Sequence, residues 1–179
     1  LRFSLHEFIV SVQDLSSLQS IFPLLSISVS RYRSGLNGNL VETLLYMIDQ
    51  GRDPSPLVRI QPVSDHLLDH CTDLLTFTND KPNGVKLFSH LFQVRYNDLT
   101  VYLNRRDYSM KTFLHHAACD FPAVLDLLRS VPGLDINARD CYDKQAVYRY
   151  LDSNSDIQYL DFFLKYFGFD HGCTYEGNT

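Results

Sequence analysis

Residues Thr112–Ala118 read Thr-Phe-Leu-His-His-Ala-Ala, and an imperfect copy of their surroundings returns further along the chain. The first copy begins at Asp107 and the second copy begins at Asp140. We call the difference between these two residue numbers the repeat interval. In the first copy, Thr112 is a suitable N-cap before an apolar run, and two alanines follow on the same predicted helix. A period of about 33 residues is typical of proteins in which short helix pairs stack on one another.

The rest of each copy has the pattern of a second helix and a connection. In the first copy we predict a helix over residues 122–130, with Pro122 at a first helical position and Gly133 as its end. In the second copy, Gln145–Tyr148 replaces the capping sequence, but Asp156–Leu164 keeps the apolar spacing of a buried helix face.

These segments resemble the ankyrin repeat family. Thr112–His115 is similar to the family's Thr-Pro-Leu-His, Leu134–Asp140 is similar to its connecting hairpin, and Leu164–Asp170 is similar to its Leu-Leu-x-x-Gly-Ala-Asp. The resemblance implies that Thr112 caps its helix and bonds His115. It also implies an all-α solenoid of stacked helix pairs, which binds other proteins on its concave face and carries no catalysis.

The resemblance also predicts how the chain is divided. Residues 1–82 are expected to form a divergent helical part, with a degenerate repeat at 20–60, and residues 83–179 to form the repeats. The turn-forming cluster Asn79–Gly84 supports a boundary at this position. The predicted repeat units are about 83–106, 107–139 and 140–172.

Helical patterns are also present before this boundary. We predict helices at 5–18 and 18–32, a helix from Leu40 to Gln50 that Gly51 ends, and a helix at 65–77 with Ser64 as its cap. Three helix pairs are predicted after the boundary: 86–96 with 98–103, 113–119 with 122–130, and 145–152 with 156–166. Strand is expected only in short hairpins.

Composition excludes several classes of protein. With 45% hydrophobic and 13% aromatic residues, the 179-residue chain is not expected to be disordered. Its net charge of −5 argues against general nucleic-acid binding. No apolar run is long enough for a membrane span, and no signal-peptide pattern is present. Because the chain begins with Leu1 rather than Met, we expect a piece of a larger protein.

Cysteine usage indicates the compartment. The four cysteines, Cys71, Cys119, Cys141 and Cys173, are widely spaced and form no Cys-x-x-Cys pair. This pattern favours free thiols in a reducing compartment over a disulfide framework. We therefore expect an intracellular protein, cytoplasmic or nuclear.

Two constellations are candidate sites of chemistry. His66, His70 and Cys71 could begin a zinc site, but no nearby residue completes the four ligands of a structural zinc. His115, His116 and Cys119 could suggest a Cys–His nucleophile and base, but neither an orienting acid nor oxyanion donors can be named. We expect no catalytic residue, no cofactor and no metal, with a zinc-binding or enzymatic domain as the less favoured alternative.

The positive side chains suggest a binding surface. They lie mainly at the predicted hairpins and first helices, which the resemblance places on the concave face. Arg and Tyr are common anchors of protein interfaces. The alternative is a solvated face compensated by acids such as Asp107, Asp140 and Asp143. We predict an adaptor that binds a protein partner, an acidic segment, through Arg106, Tyr108, Lys111, His116, Arg139, Tyr142, Lys144 and Arg149.

A different interaction function is also consistent with the sequence. The last predicted repeat is more aromatic than a terminal repeat should be, since its outer face normally meets solvent. This composition favours self-association, or docking on another part of a larger protein. The residues expected to form this surface are Tyr159, Phe162, Phe163 and Tyr166.

Overall fold

The computed structural model describes residues 35–153 and 158–166. Within these ranges the chain is helical, and its only extended pairing is an isolated antiparallel bridge between Arg139 and Gln145. The predicted all-α class is therefore confirmed for the described residues. The helices predicted at 5–18 and 18–32 lie outside them.

The helices are short and follow one another closely. They are α1 Gly38–Asp49, α2 Ser55–Val58, α3 Gln61–Asp69, α4 Cys71–Thr78, α5 Gly84–Val94, α6 Leu99–Leu103, α7 Phe113–Asp120, α8 Leu125–Leu128, α9 Ala146–Ser153 and α10 Leu160–Tyr166, with a 3₁₀ turn at Pro122–Val124. In the described residues, no helix has the length and apolar character needed to cross a membrane.

Helix α1 follows its sequence pattern closely. The side chain of Asn37 accepts a hydrogen bond from the Leu40 backbone N–H at 3.2 Å, which caps the first turn. The helix ends next to Gly51, whose φ of 67° lies in the left-handed region that Gly adopts without strain. The predicted helix at 40–50 and its stop are confirmed.

The helix predicted at 65–77 is wrong in its start and in its continuity. Pro62 stands in the first turn, where its fixed φ favours helix, so α3 begins at Gln61. Ser64 is buried inside α3 and donates to the Gln61 carbonyl at 3.1 Å, so it is not the cap. His70 leaves helical geometry, with φ −113° and ψ 30°, and separates α3 from α4.

The second helix of the first copy is shorter than predicted. Pro122 does stand at a first helical position, but of a 3₁₀ turn that leads into α8. Helix α8 ends at Leu128, and Gly133 lies in the following loop with a φ of 72°. Gly133 therefore serves the loop and does not end the helix.

Helices α7 and α9 repeat each other. Their bounds, Phe113–Asp120 and Ala146–Ser153, are shifted by the repeat interval found in the sequence. The two helices pack directly against each other. Ala117 and Ala118 are buried on α7. Small side chains there let helix axes approach closely, which makes this packing possible.

One core continues through the predicted boundary at residues 82 and 83. Helix α7 packs against α4 as well as against α9, while α5 packs against α1, α2 and α4. The Phe113 ring on α7 lies 5.7 Å from the Phe88 ring on α5. Buried side chains from both sides of the predicted boundary therefore pack into one core. The division of the chain into two parts stays a prediction from sequence.

An ion-pair cluster ties the end of α5 to α3 and α6. Arg95 pairs with Asp65, and its Nη2 contacts an Asp98 carboxylate oxygen at 2.5 Å. The Tyr102 hydroxyl donates to Asp65 at 3.2 Å. These contacts fix the orientation of the Tyr102 side chain, which forms part of a cavity described below.

The aromatic residues near the end of the described chain are mostly internal. Phe162 and Phe163 are only 2% and 1% exposed, and the Phe163 ring lies 5.7 Å from that of Tyr150. The amphipathic pattern of α10 places these two rings in the core, so they do not form the exposed self-association surface expected from the sequence. Tyr159 is half-buried, and the side chain of Tyr166 lies outside the described residues.

Candidate partner-binding surface

A tight turn organised by one aspartate precedes α7. One carboxylate oxygen of Asp107 accepts hydrogen bonds from the backbone N–H groups of Ser109 and Lys111, at 2.7 and 3.0 Å. The other accepts from His116 Nε2 at 2.9 Å. The chain reverses through Met110, whose φ of 59° is uncommon for a side chain of this size. The turn is therefore specified by Asp107.

The same turn is built again before α9. One carboxylate oxygen of Asp140 accepts from the backbone N–H groups of Tyr142 and Lys144, at 2.8 and 3.0 Å. Its other oxygen accepts from Arg149 Nε at 2.7 Å. Asp143 has a φ of 60°. Each of these features stands one repeat interval after its counterpart in the first turn.

Hydrogen bonds decide the charge state of both aspartates. Burial raises the pKa of Asp107, but the hydrogen bonds from His116 and from two backbone N–H groups outweigh it, so the pKa lies below its ordinary value. Burial likewise raises the pKa of Asp140, but hydrogen bonds from Arg149 and from two backbone N–H groups outweigh it. The pKa of Asp140 therefore also lies below its ordinary value. Both turns therefore contain an ionised carboxylate at neutral pH.

His115 connects the first turn to the second. Its Nδ1 accepts from the Thr112 backbone N–H at 3.1 Å and lies 3.0 Å from the Thr112 hydroxyl. Thr112 is the N-cap of α7 and forms a capping box with His115, as predicted. Its Nε2 lies 3.1 Å from the Lys144 carbonyl oxygen, to which it donates. Burial lowers the pKa of His115, in agreement with a neutral ring that accepts on one side and donates on the other.

The backbones of the two turns also bond directly. The Cys141 N–H donates to the Ser109 carbonyl at 2.9 Å, and Arg106 Nη1 donates to the Arg139 carbonyl at 3.2 Å. Together with His115, these bonds fix the position of one turn relative to the next.

The eight predicted residues, which we call the turn surface, lie on these turns and on the helices that follow them. Tyr108 is 99% exposed and Tyr142 is 72% exposed. The basic members occupy equivalent places in the two copies, shifted by the repeat interval. The equivalent pairs are Arg106 and Arg139, Lys111 and Lys144, and His116 and Arg149.

In the second copy every basic member of the turn surface meets an acid. Arg139 Nη1 lies 2.5 Å from an Asp143 carboxylate oxygen, and Lys144 Nζ lies 2.7 Å from one of Asp152. Arg149 pairs with Asp140, whose side chain is 0% exposed. This is the compensated arrangement that the sequence left open as the alternative.

The first copy lacks two of these acids. Met110 stands where the second copy has Asp143, and Cys119 stands where it has Asp152. Arg106 is left with Asp135, at 3.8 Å. Among the residues that the structure describes, no carboxylate lies within ion-pairing distance of the Lys111 ammonium group. The positive charge of the turn surface is therefore concentrated in the first copy.

A cavity of about 240 Å³ opens beside the first turn. Three members of the turn surface, Arg106, Lys111 and His116, line it together with Arg105. Asp69 from α3 and Tyr102 from α6 also line the cavity. These two residues were not predicted, because they approach the turn only through tertiary packing and carry no local motif.

Arg105, which lines the cavity, is paired with two other lining residues. Its Nη1 lies 2.5 Å from an Asp69 carboxylate oxygen, and its guanidinium carbon lies 4.5 Å from the centre of the Tyr102 ring. Stacking of this kind is a favourable cation–π contact. The charges of Arg105 and Asp69 therefore offset each other.

The residues considered for zinc have other roles. His66 is buried, and its Nε2 accepts from the Asn37 backbone N–H at 3.0 Å, which leaves no lone pair there for a metal. Burial lowers the pKa of His66 and raises the pKa of Cys71 to about 12. His70 bonds Asp73 at 3.3 Å. The described part of the chain contains no group of three or more His, Cys, Asp or Glu side chains placed to hold a metal ion.

The residues considered for nucleophilic catalysis are also engaged elsewhere. Both ring nitrogens of His115 are hydrogen-bonded within the turns. The Cys119 sulfur lies 2.9 Å from the Ser153 hydroxyl oxygen on α9. His115 therefore serves as a structural link between the copies and is not arranged as a base for Cys119.

Comparisons of this chain with protein-family models, with curated proteins and with solved structures found no match. Function is therefore inferred from what the turns and the cavity can do chemically. The two features that bear on it are the repeated turn and the uncompensated charge beside the cavity.

Proposed function

We propose that this chain is a non-enzymatic protein-interaction scaffold, built as a divergent array of the ankyrin type, which binds a partner segment along the turn surface. The observation that carries this proposal is one aspartate-centred turn built twice at the repeat interval, with equivalent side chains pointing from each copy. Repetition of a turn and its first helix creates an extended surface of regular spacing.

The backbone of the turn surface is held in place by hydrogen bonds, while some of its side chains are exposed to solvent. Asp107 and Asp140 fix the backbone of each turn, and the bond between Cys141 and Ser109 joins the turns. A preformed surface loses little conformational freedom when a partner binds, and this reduces the cost of binding. Tyr108 is 99% exposed among the described residues, so its ring is available to a partner.

The charge distribution supports a partner with acidic residues. Lys111 and Arg106 lack the acids that neutralise their counterparts in the second copy, although the chain as a whole has a net charge of −5. A local positive surface on an acidic protein steers complementary acidic segments to that place, while the rest of the surface repels them.

The proposal is tested with a charge-reversed variant. Wild-type protein is used to retain partners from a cell extract, and mass spectrometry identifies them. The affinity of a retained partner is then measured for Arg106→Glu combined with Lys144→Glu. We expect the dissociation constant to rise about tenfold or more. A tenfold rise corresponds to a loss of about 1.4 kcal/mol of binding free energy.

A matched control separates specific contacts from net charge. Arg52→Glu combined with Lys86→Glu makes the same change in net charge at positions on other elements. We expect it to bind the partner nearly as the wild type does. Equal affinity of the two double variants, with both folded by circular dichroism, would remove the turn surface as the binding site.

A further inference from the structure

We propose that the cavity beside the first turn is a receptor for one carboxylate side chain, which Lys111 and Arg106 bind. The identification of this carboxylate as a Glu or Asp of the partner segment rests on the proposed function. The capacity of the cavity to bind a carboxylate does not rest on the proposed function, because it follows from the charges of the lining residues.

The acids already in the cavity are occupied. Asp69 bonds Arg105, and Asp107 accepts hydrogen bonds from His116 and from two backbone N–H groups. With these acids engaged, the remaining cations on the lining are Lys111 and Arg106, of which Arg106 already donates to the Arg139 carbonyl through Nη1 at 3.2 Å. Arg106 has one distant acid, Asp135 at 3.8 Å, which is itself exposed to solvent. An incoming carboxylate therefore meets two cations that have no close ion-pair partner inside the cavity.

Comparison of the copies explains why these cations are uncompensated. In the second copy, Asp152 pairs with Lys144, and Asp143 pairs with Arg139. The first copy has Cys119 and Met110 at those positions, neither of which is a carboxylic acid. An external carboxylate would supply the negative charge that the chain's own acids supply one repeat later.

The size of the cavity limits what it can accept. At about 240 Å³ it is smaller than the 300–1,000 Å³ typical of pockets for cofactors and drug-sized ligands. It has room for a single side chain with a few water molecules. Because Arg106 Nη1 already donates to the Arg139 carbonyl, the donors for a ligand are the remaining N–H groups of this guanidinium and the Lys111 ammonium group. Hydrogen bonds from two charged donors favour a carboxylate over a neutral amide.

The test uses the full chain and a small probe that requires no partner. ¹⁵N-labelled protein is titrated with N-acetylglutamate N-methylamide and followed by two-dimensional NMR, with the N-acetylglutamine analogue as the neutral control. We expect a dissociation constant on the order of millimolar for the glutamate probe, with shifts at residues lining the cavity. The glutamine analogue is expected to bind about tenfold more weakly.

Matched variants locate the binding. Lys111→Gln is expected to raise the dissociation constant about tenfold, whereas Lys144→Gln, the equivalent change in the second copy, is expected to leave it unchanged. Cys119→Asp and Met110→Asp supply the missing acids and are expected to weaken binding, while Cys119→Asn and Met110→Asn provide neutral controls at the same positions. Unperturbed resonances elsewhere show that each variant is folded.

Three outcomes overturn the receptor: equal binding of the two probes, equal effects of Lys111→Gln and Lys144→Gln, or binding of inorganic phosphate with none of the carboxylate. Its failure is distinguishable from failure of the scaffold. If the probe does not bind but a retained partner still needs Arg106 and Lys144, the receptor is wrong and the scaffold stands. If the probe binds and the charge-reversed variant keeps its partner, the receptor stands and the scaffold proposal is wrong.

Discussion

The two copies of the turn share a backbone but differ in charge balance. Asp107 and Asp140 bond equivalent backbone N–H groups at nearly equal distances. The second copy then pairs Lys144 with Asp152, whereas Lys111 in the first copy has no acid within reach in the part of the chain that the structure describes. The shape of the turn thus requires the aspartate, while the surrounding charges can vary without changing the shape.

The copies also differ in how they join their neighbours. In the first copy, His115 bonds both Thr112 and the Lys144 carbonyl, so it couples the cap of one helix to the next turn. In the second copy, Gln145 stands in place of Thr112, and its amide contacts Asn137 at 3.4 Å. In the first copy, His115 therefore joins the cap of one helix to the next turn, whereas Gln145 in the second copy bonds a residue of the preceding connection.

The largest expected effect tests the shared core. Leu114 and Val147 occupy equivalent positions on α7 and α9, and both are buried. Leu114→Ala is expected to lower the free energy of unfolding by about 3 kcal/mol, because it removes buried methyl groups and leaves a cavity. Val147→Ala removes fewer atoms and is expected to cost about half as much. Chemical denaturation of both variants measures the difference, and a larger loss for Val147→Ala would contradict the equivalence of the layers.

The next effect compares the two aspartates. Asp140→Ala is expected to lower the free energy of unfolding by about 2 kcal/mol, since it removes charge-assisted hydrogen bonds and leaves Arg149 without its partner. Asp107→Ala is expected to cost about 1 kcal/mol, because the Asp107 side chain is 27% exposed and that of Asp140 is 0% exposed. The same denaturation experiment applies, and equal losses would show that exposure does not set the cost.

A pH titration tests the link made by His115. Burial lowers the pKa of His115 below its ordinary value of about 6.5, so the ring is neutral in both the folded and the unfolded chain only well above that pH. As the pH falls below this value, the unfolded chain takes up a proton that the folded chain resists, and stability decreases through the lower folded-state pKa. Protonation also removes the lone pair that accepts from Thr112.

His115→Asn serves as the control in this titration, because Asn has no proton to gain in this range. We expect the variant to be less stable at pH 7 and to lose less stability than the wild type between pH 7 and pH 5. His66, whose pKa is also lowered by burial, accounts for part of the remaining decline. An identical pH dependence in wild type and variant would show that His115 does not contribute.

The local features of the turns could be predicted from sequence, because they depend on residues close together in the chain. The repeat interval, the Thr112 cap and the helix bounds of α7 and α9 all follow from such patterns. The pairing of Arg139 with Asp143 is also local, since the two residues lie one helical turn apart in sequence.

Features that depend on tertiary packing could not be predicted. The cavity wall comes from Asp69 and Tyr102, which reach the first turn through the packing of α3 and α6 and not through sequence proximity. The burial of Phe162 and Phe163 depends on which face of α10 meets Tyr150. The break at His70 interrupts a pattern that reads as one continuous helix.

The smallest expected effect concerns the left-handed residue of each turn. Met110 has a φ of 59° and Asp143 a φ of 60°, and Asn or Asp tolerates this region better than a long side chain does. Met110→Asn is expected to raise the free energy of unfolding by about 0.5–1 kcal/mol, since it relieves part of a strain of about 1–2 kcal/mol. Asp143→Asn, at the same place in the second copy, is expected to change stability very little apart from the loss of its pair with Arg139. Thermal unfolding of the two variants gives the comparison, and a destabilised Met110→Asn would mean that contacts of the Met110 side chain outweigh the strain in its backbone.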